Sequence, residues 1–153
     1  MTLEEKVKAK NKQLLEEFPF IRPRSWYSGE PIDIDYTYTI LDDMPTGWKM
    51  AFGEELCKEL KEALVKAGQL DNYQVIQVKE KYGYLHWYDN GGEITRRILS
   101  KYEKISEATC CRCGKRATKM SLGWICPFCS DCAESLSKNG YMQFKDIEEV
   151  TQD

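Results

Sequence analysis

One histidine in 153 residues leaves this sequence short of the side chain most often used to move protons near neutral pH. That residue, His86, stands in Leu85-His86-Trp87-Tyr88 without an identifiable acid-base partner, so it reads as a half-buried packing residue. Long apolar runs are missing as well, and nothing approaches the ~20 residues needed to cross a bilayer. Residues 1–18 are charged throughout, unlike a secretory leader, and the expectation is a cytoplasmic protein with no membrane contact. Neither a Gly-rich phosphate loop nor a nucleophile elbow occurs, which argues against an enzyme. The formal net charge of -3 gives no general affinity for a nucleic-acid backbone.

Cysteine, by contrast, is concentrated: six of the seven lie between positions 110 and 132. Thiols stay reduced in the cytosol, so such a cluster points to metal binding or redox chemistry rather than to disulfides. Cys110-Cys111-Arg112-Cys113 holds one CxxC and Cys129-Ser130-Asp131-Cys132 another, with 15 residues between them. Each CxxC bends the backbone so that two sulfurs aim at one centre, and two such bends complete a tetrahedron around one structural zinc ion. Gly114 suits the reversal after the first pair, and Arg112, Lys115 and Arg116 place positive charge beside a doubly negative centre. With the metal bound, the net charge by this count falls to about -5. Two thiols are left over. Cys111 can replace a member of the first pair, and Cys126-Pro127-Phe128-Cys129 is a third CxxC that can serve as the second pair with a shorter loop; it also has a redox reading, although the βαβ context of a thioredoxin-like motif is missing. Cys57, on an apolar helix face, reads as a small core residue.

Periodicity predicts an α+β protein, with helices packed on a small antiparallel hairpin and a C-terminal zinc ribbon or knuckle. Residues 2–18 read as a helix, with Thr2 and Glu5 at capping-box spacing and a thin stripe of Leu3, Val7, Leu14 and Phe18. Tyr36-Thr37-Tyr38-Thr39-Ile40 is rich in strand formers and predicts a short strand. Phe52, Leu56, Leu60 and Leu64 recur every four residues, which predicts a helix over 48–66 ended by Gly68. Strands follow at 73–79 and 84–89 around Gly83. Asp89-Asn90-Gly91-Gly92 then makes a turn into a third helix marked by Ile94, Ile98, Tyr102 and Ile105. The expected organisation is an α+β body over 1–108, a zinc segment over 109–140 and an acidic, frayed tail over 141–153.

Two charged sets are candidates for partner contact. Asp33, Asp35, Asp42 and Asp43, with Glu55, Glu59 and Glu62 on the second helix, suit a basic protein partner. Arg97, Lys101 and Lys104 on the third helix, with Arg112, Lys115, Arg116 and Lys119, are the candidates for touching phosphates. Ordinary solvated surface accounts for either set equally well.

Leu41-Asp42-Asp43-Met44-Pro45-Thr46-Gly47-Trp48, Gln77 to Leu85, and Thr109 to Gly114 followed by Gly123-Trp124-Ile125 and the second cysteine pair resemble a family of small proteins encoded by phages and prophages of Gram-positive bacteria. The resemblance covers roughly the last two thirds of the chain. It implies that the ligands are Cys110, Cys113, Cys129 and Cys132, because the positions of Cys111 and Cys126 are usually not cysteine there. It also implies a functional expectation, since zinc-containing phage proteins include inhibitors of the type II CRISPR effector nuclease. The leading expectation is therefore stoichiometric inhibition of that host protein. A zinc-ribbon nucleic-acid binder of phage transcription or replication is the alternative, and a non-catalytic adaptor between proteins is a third reading.

Overall fold

The computed structural model describes residues 1–25, 27–32, 35–138, 140 and 142–147. Helix α1 (Leu3–Glu17) starts as its capping spacing predicts: the Thr2 hydroxyl accepts from the Glu5 N–H at 3.1 Å, with Glu4 and Glu5 favourably placed in the first turn. Only the far end of its stripe is buried. Leu14 and Phe18 enter the core, whereas Leu3 and Val7 face solvent. Asn11 is buried between these two halves and donates its amide to the Tyr36 carbonyl at 2.8 Å.

That hydrogen bond belongs to a segment that is not the expected strand. Tyr36 has φ 67, and Thr39 caps a 3-10 turn over Ile40–Asp43 in a reciprocal box with Asp42. Local hydrogen bonding by Thr39 and Asp42 overrides the β preference of Tyr36 to Ile40.

The second helical region begins just after Pro45, slightly before the expected start. It runs through α2 (Thr46–Trp48), a π turn (Lys49–Gly53) and α3 (Glu54–Lys66). Trp48, Phe52, Leu56, Leu60 and Leu64 all lie inside, and Gly68 takes φ +68 beyond the helix end. Strands β1 (Val75–Lys81) and β2 (Tyr84–Asp89) then pair antiparallel, with a bulge between Val75 and Gln77. Tyr82 and Gly83 both have positive φ, the two-residue turn that matches strand twist. Val78, Leu85 and Trp87 point inward, while Gln77, Lys79, Lys81, Tyr84, His86 and Tyr88 occupy the other face.

Helix α4 (Glu93–Glu107) packs on α3 and on β2, where the Ser106 hydroxyl accepts from the Leu85 N–H at 2.8 Å and covers the strand's open edge. The Asp89 carboxylate accepts from Tyr73 at 2.6 Å and Thr95 at 2.8 Å, which ties the hairpin end to the start of α4.

Past α4 a second, three-stranded antiparallel sheet forms, with β3 (Lys119–Ser121) between β4 (Pro127–Phe128) and β5 (Phe144–Asp146), and α5 (Ser130–Lys138) connecting β4 to β5. Part of the expected acidic tail is thus a strand. Phe144 meets Phe128 edge-on at 5.3 Å and Asp146 pairs with Lys119, contacts that outweigh the local acidity. Residues 148–153 lie outside the described residues. One hydrophobic core runs from Leu14 through the helices into Phe128 and Ala133, continuous across residue 108.

The join depends on Gly47 and Trp48. The Gly47 N–H donates to the Cys111 carbonyl at 2.9 Å, and the buried Trp48 indole donates to the Thr109 carbonyl at 2.8 Å. A Cβ at Gly47 would sit 2.7 Å from both the Cys111 carbonyl carbon and the Gly114 nitrogen, which are backbone atoms with little room to yield. Gly47→Ala is therefore expected to cost about 1–3 kcal/mol. Gly53→Ala, whose Cβ would meet nothing nearer than 3.6 Å, serves as the control and should be neutral or slightly stabilising. Urea unfolding of both variants checks the contrast.

Candidate metal centre

Helix α4 delivers the chain to Cys110, and a tight turn follows. The Cys110 N–H donates to the Lys115 carbonyl at 2.7 Å, and the Gly114 N–H returns to the Cys110 carbonyl at 3.0 Å. Gly114 takes φ +83 there, so its lack of a Cβ is used twice: for the backbone conformation and for the close approach of the Gly47 carbonyl oxygen, 2.8 Å from where a Cβ would lie. The second pair sits at the start of α5. Cys129 precedes the helix, and the Cys132 N–H points at its sulfur from 3.4 Å.

The sulfurs of Cys110, Cys113, Cys129 and Cys132 all lie within 4.8 Å of one another, with Cys113 and Cys129 3.6 Å apart. A tetrahedron with metal–sulfur distances of about 2.3 Å requires neighbouring sulfurs to be roughly 3.8 Å apart. The donor set therefore fits a four-coordinate metal. Cys110 and Cys129 are buried while Cys113 and Cys132 are half-exposed, so the centre lies at the protein surface with one side open to ion entry. Among the described residues, no other group of histidine, cysteine and carboxylate side chains converges in this way.

Electrostatics at the cluster explain why a cation belongs there. Burial works against ionising Cys110, but backbone N–H groups of Cys129, Cys113 and Arg112 outweigh it and bring the thiol down to about 7. Cys132 is pushed the other way, by burial and then by the neighbouring thiols of Cys129, Cys113 and Cys110. One thiolate forms readily, and each further negative charge in the same small volume is opposed. A divalent cation at the centre removes that opposition.

Cys111 and Cys126 are outside the set. Both are buried, and hydrogen bonding to Cys111, followed by burial, raises the Cys126 thiol far above its usual range. The alternative ligand registers open to the sequence are thus not the ones the fold assembles. Cys57 is a core residue, its thiol raised by burial and by the nearby carboxylates of Glu54 and Glu17. His86 is half-buried on the hairpin, its Nδ1 3.1 Å from the Tyr88 hydroxyl.

The two charged sets meet each other. Glu59 of the acidic set pairs with Lys101 of the basic set across the α3–α4 contact, and Tyr102 also donates to it, so the Glu59 carboxyl is held below its ordinary value. Asp42 is occupied by Lys49 and by the Thr39 N–H, and the Asp43 carboxylate accepts from Tyr38. Asp35 accepts from Thr37, Glu55 lies 3.7 Å from Lys58, and Glu62 is exposed. Asp33 lies outside the described residues. Arg97, Lys104, Arg112, Lys115 and Arg116 are exposed and have no carboxylate partner among the described residues, and Lys119 is bound to Asp146.

Sequence reasoning missed the brace formed by Gly47 and Trp48, although the Pro-Thr-Gly-Trp run preceding a helix marked the place. It used Gly123-Trp124-Ile125 only for the resemblance and gave no contact role to this exposed loop, where Trp124 is 62% exposed. A scan against protein-family models finds no match to this chain, and searches of curated proteins and of solved structures find none either.

Elemental analysis of purified protein is expected to find about one metal ion per chain. Cys129→Ser should lose it and loosen the second sheet, visible as lost hydrogen-exchange protection around β3, whereas Cys111→Ala and Cys126→Ala should keep it. Loss in either of those two, with retention in Cys110→Ser, would give the site to different sulfurs. Protons compete for the same thiolates, so the metal should leave as pH falls and not as it rises. Release into a colorimetric chelator during an acid titration measures the direction.

Proposed function

We propose that this chain is a non-catalytic binding protein in which one zinc ion braces the surface presented to a macromolecular partner. The observation that supports this most is the donor set. Four protein sulfurs complete a tetrahedron, which suits zinc as a structural ion and fills the position a catalytic metal needs for water. Tetrathiolate sites also hold iron; elemental analysis separates the two.

What the brace holds outward supports a protein partner. Leu122, Trp124 and Ile125 are 47%, 62% and 40% exposed on the loop joining β3 to β4, where the Ser121 side chain and backbone hold the turn to Trp124 and Cys126. Ile125 lies against Gly83, so the exposed Tyr82 at the hairpin tip adjoins the same apolar surface. Tryptophan and tyrosine at the centre of such a patch are the residue types that dominate interface energetics. The family resemblance directs the proposal to a host defence protein, the type II CRISPR effector nuclease, blocked in DNA binding or cleavage. With Asp42 and Glu59 engaged internally, the acidic residues act at the rim of this contact and not at its centre.

Titration of the metal-loaded protein against that effector tests the proposal. Co-migration on size exclusion and loss of target-DNA cleavage that saturates at a fixed ratio are expected. Trp124→Ala should weaken the complex by at least about tenfold. Replacing Asp35, Glu55 and Glu62 with their amides should slow association and leave dissociation nearly unchanged. A protein that neither co-migrates nor reduces cleavage at several-fold excess is not an inhibitor of this effector.

A further inference from the structure

The outer face of the β1–β2 hairpin is not part of the metal centre. Its cross-strand pairs are Gln77 with Tyr88, Lys79 with His86, and Lys81 with Tyr84. Directly paired residues share a face, so β1 carries a polar and cationic row and β2 a row of rings, one strand spacing of about 4.8 Å away. The rings form a continuous series: Tyr84 and His86 have centroids 4.5 Å apart, His86 and Tyr88 5.8 Å apart. Tyr82 extends the series at the turn, 70% exposed and held at φ 55 where asparagine or glycine is the usual occupant. A large aromatic there is unexplained by the turn itself.

Each exposed ring has an ammonium beside it. Lys79 Nζ lies 5.9 Å from the Tyr88 ring, and Lys81 Nζ lies 5.6 Å from that of Tyr82. Among the described residues, neither lysine has a carboxylate partner. Glu80, the only acid on β1, points to the opposite face with Leu85. At the edge of β1, Arg22 and Arg24 line a hollow of about 250 Å³ with Ile76 and Gln77 and add positive charge beside this face. Among the described residues two carboxylates come near: Asp43 in that hollow, hydrogen-bonded by Tyr38, and Glu103 of α4 within electrostatic reach of His86.

We propose that this face binds single-stranded nucleic acid, with bases stacked on Tyr82 and Tyr88 and phosphates following Lys81, Lys79 and Arg22. Rings on a sheet surface beside a cationic track suit unpaired bases, which offer their faces, and not a duplex, which hides them. The charge sign excludes a basic partner, and the net acidity of the chain does not oppose the contact because the carboxylates of α3 lie on another element. The assignment does not depend on the protein-binding proposal above, and it falls on different residues from the Arg97 and Lys104 face.

Fluorescence anisotropy of labelled twelve-residue deoxythymidine and uridine oligonucleotides with the metal-loaded full chain tests it, against a duplex of equal length. Binding to single strands in the micromolar range is expected, weakening as salt rises. Tyr88→Ala should reduce affinity about fivefold or more. Lys79→Glu should both weaken binding and flatten the salt dependence, while Lys66→Ala, on α3, should change nothing. Metal content and far-UV circular dichroism confirm that each variant is folded. The proposal is overturned by dissociation constants above about 100 µM for both strands, by a duplex preference, or by unchanged binding in Tyr88→Ala and Lys79→Glu. It is equally overturned if Arg97→Ala with Lys104→Ala removes the binding instead, or if polyglutamate competes as well as an unlabelled strand, which would make the face a general anion surface.

Discussion

Four sulfurs within 4.8 Å of one another tie the short strands of the C-terminal segment to the core it shares with the helices. Strands β3, β4 and β5 contain three, two and three residues, too few to form an independent sheet without help. The convergence of the four sulfurs sets the turn at Cys110–Gly114 against the start of α5, and the small sheet lies between that turn and the core. The dependence also runs inward. Backbone atoms of the Cys110–Gly114 turn pack directly on Gly47, so the metal centre sets the position of α2 and, through the Trp48 indole, of the end of α4.

This mutual bracing is the physical reason to treat the chain as one packed body. A metal module on a flexible tether would present its loop in many orientations and lose affinity to the entropy of ordering it. Here the loop carrying Trp124 is held on one side by Ser121 and on the other by the hairpin tip at Gly83. Two exposed surfaces therefore have fixed relative positions: the apolar loop beside Tyr82, and the ring-and-lysine face of the hairpin. Tyr82 belongs to both, and occupation of one surface constrains the other.

The charged residues illustrate how tertiary structure reassigns what a sequence appears to offer. Glu59 and Lys101 stand 42 positions apart and read naturally as members of opposed surfaces. Packing of α3 on α4 joins them, so neither has its full charge available to a partner. Asp42 is similarly absorbed, by the cap of a 3-10 turn whose existence removed the strand expected at Tyr36 to Ile40. In both cases a local or cross-helix hydrogen bond satisfied a group that composition alone left free.

The sequence by itself determined the elements with strong local signals. The Leu56, Leu60 and Leu64 repeat placed its helix because apolar periodicity directly encodes a buried face, and the CxxC spacing located a metal-type cysteine cluster between 110 and 132 because it encodes a local turn, while leaving Cys111 and Cys126 as alternative members. The α+β class followed from the same patterns. Tertiary structure alone decided the rest. It left Cys111 and Cys126 outside the group of four converging sulfurs, it recruited Phe144 to Asp146 into a sheet through partners more than 20 residues away, and it lined up lysines of β1 beside the rings of β2. Each of these outcomes depends on which chain segment lies opposite, a non-local contact that residue pattern does not carry.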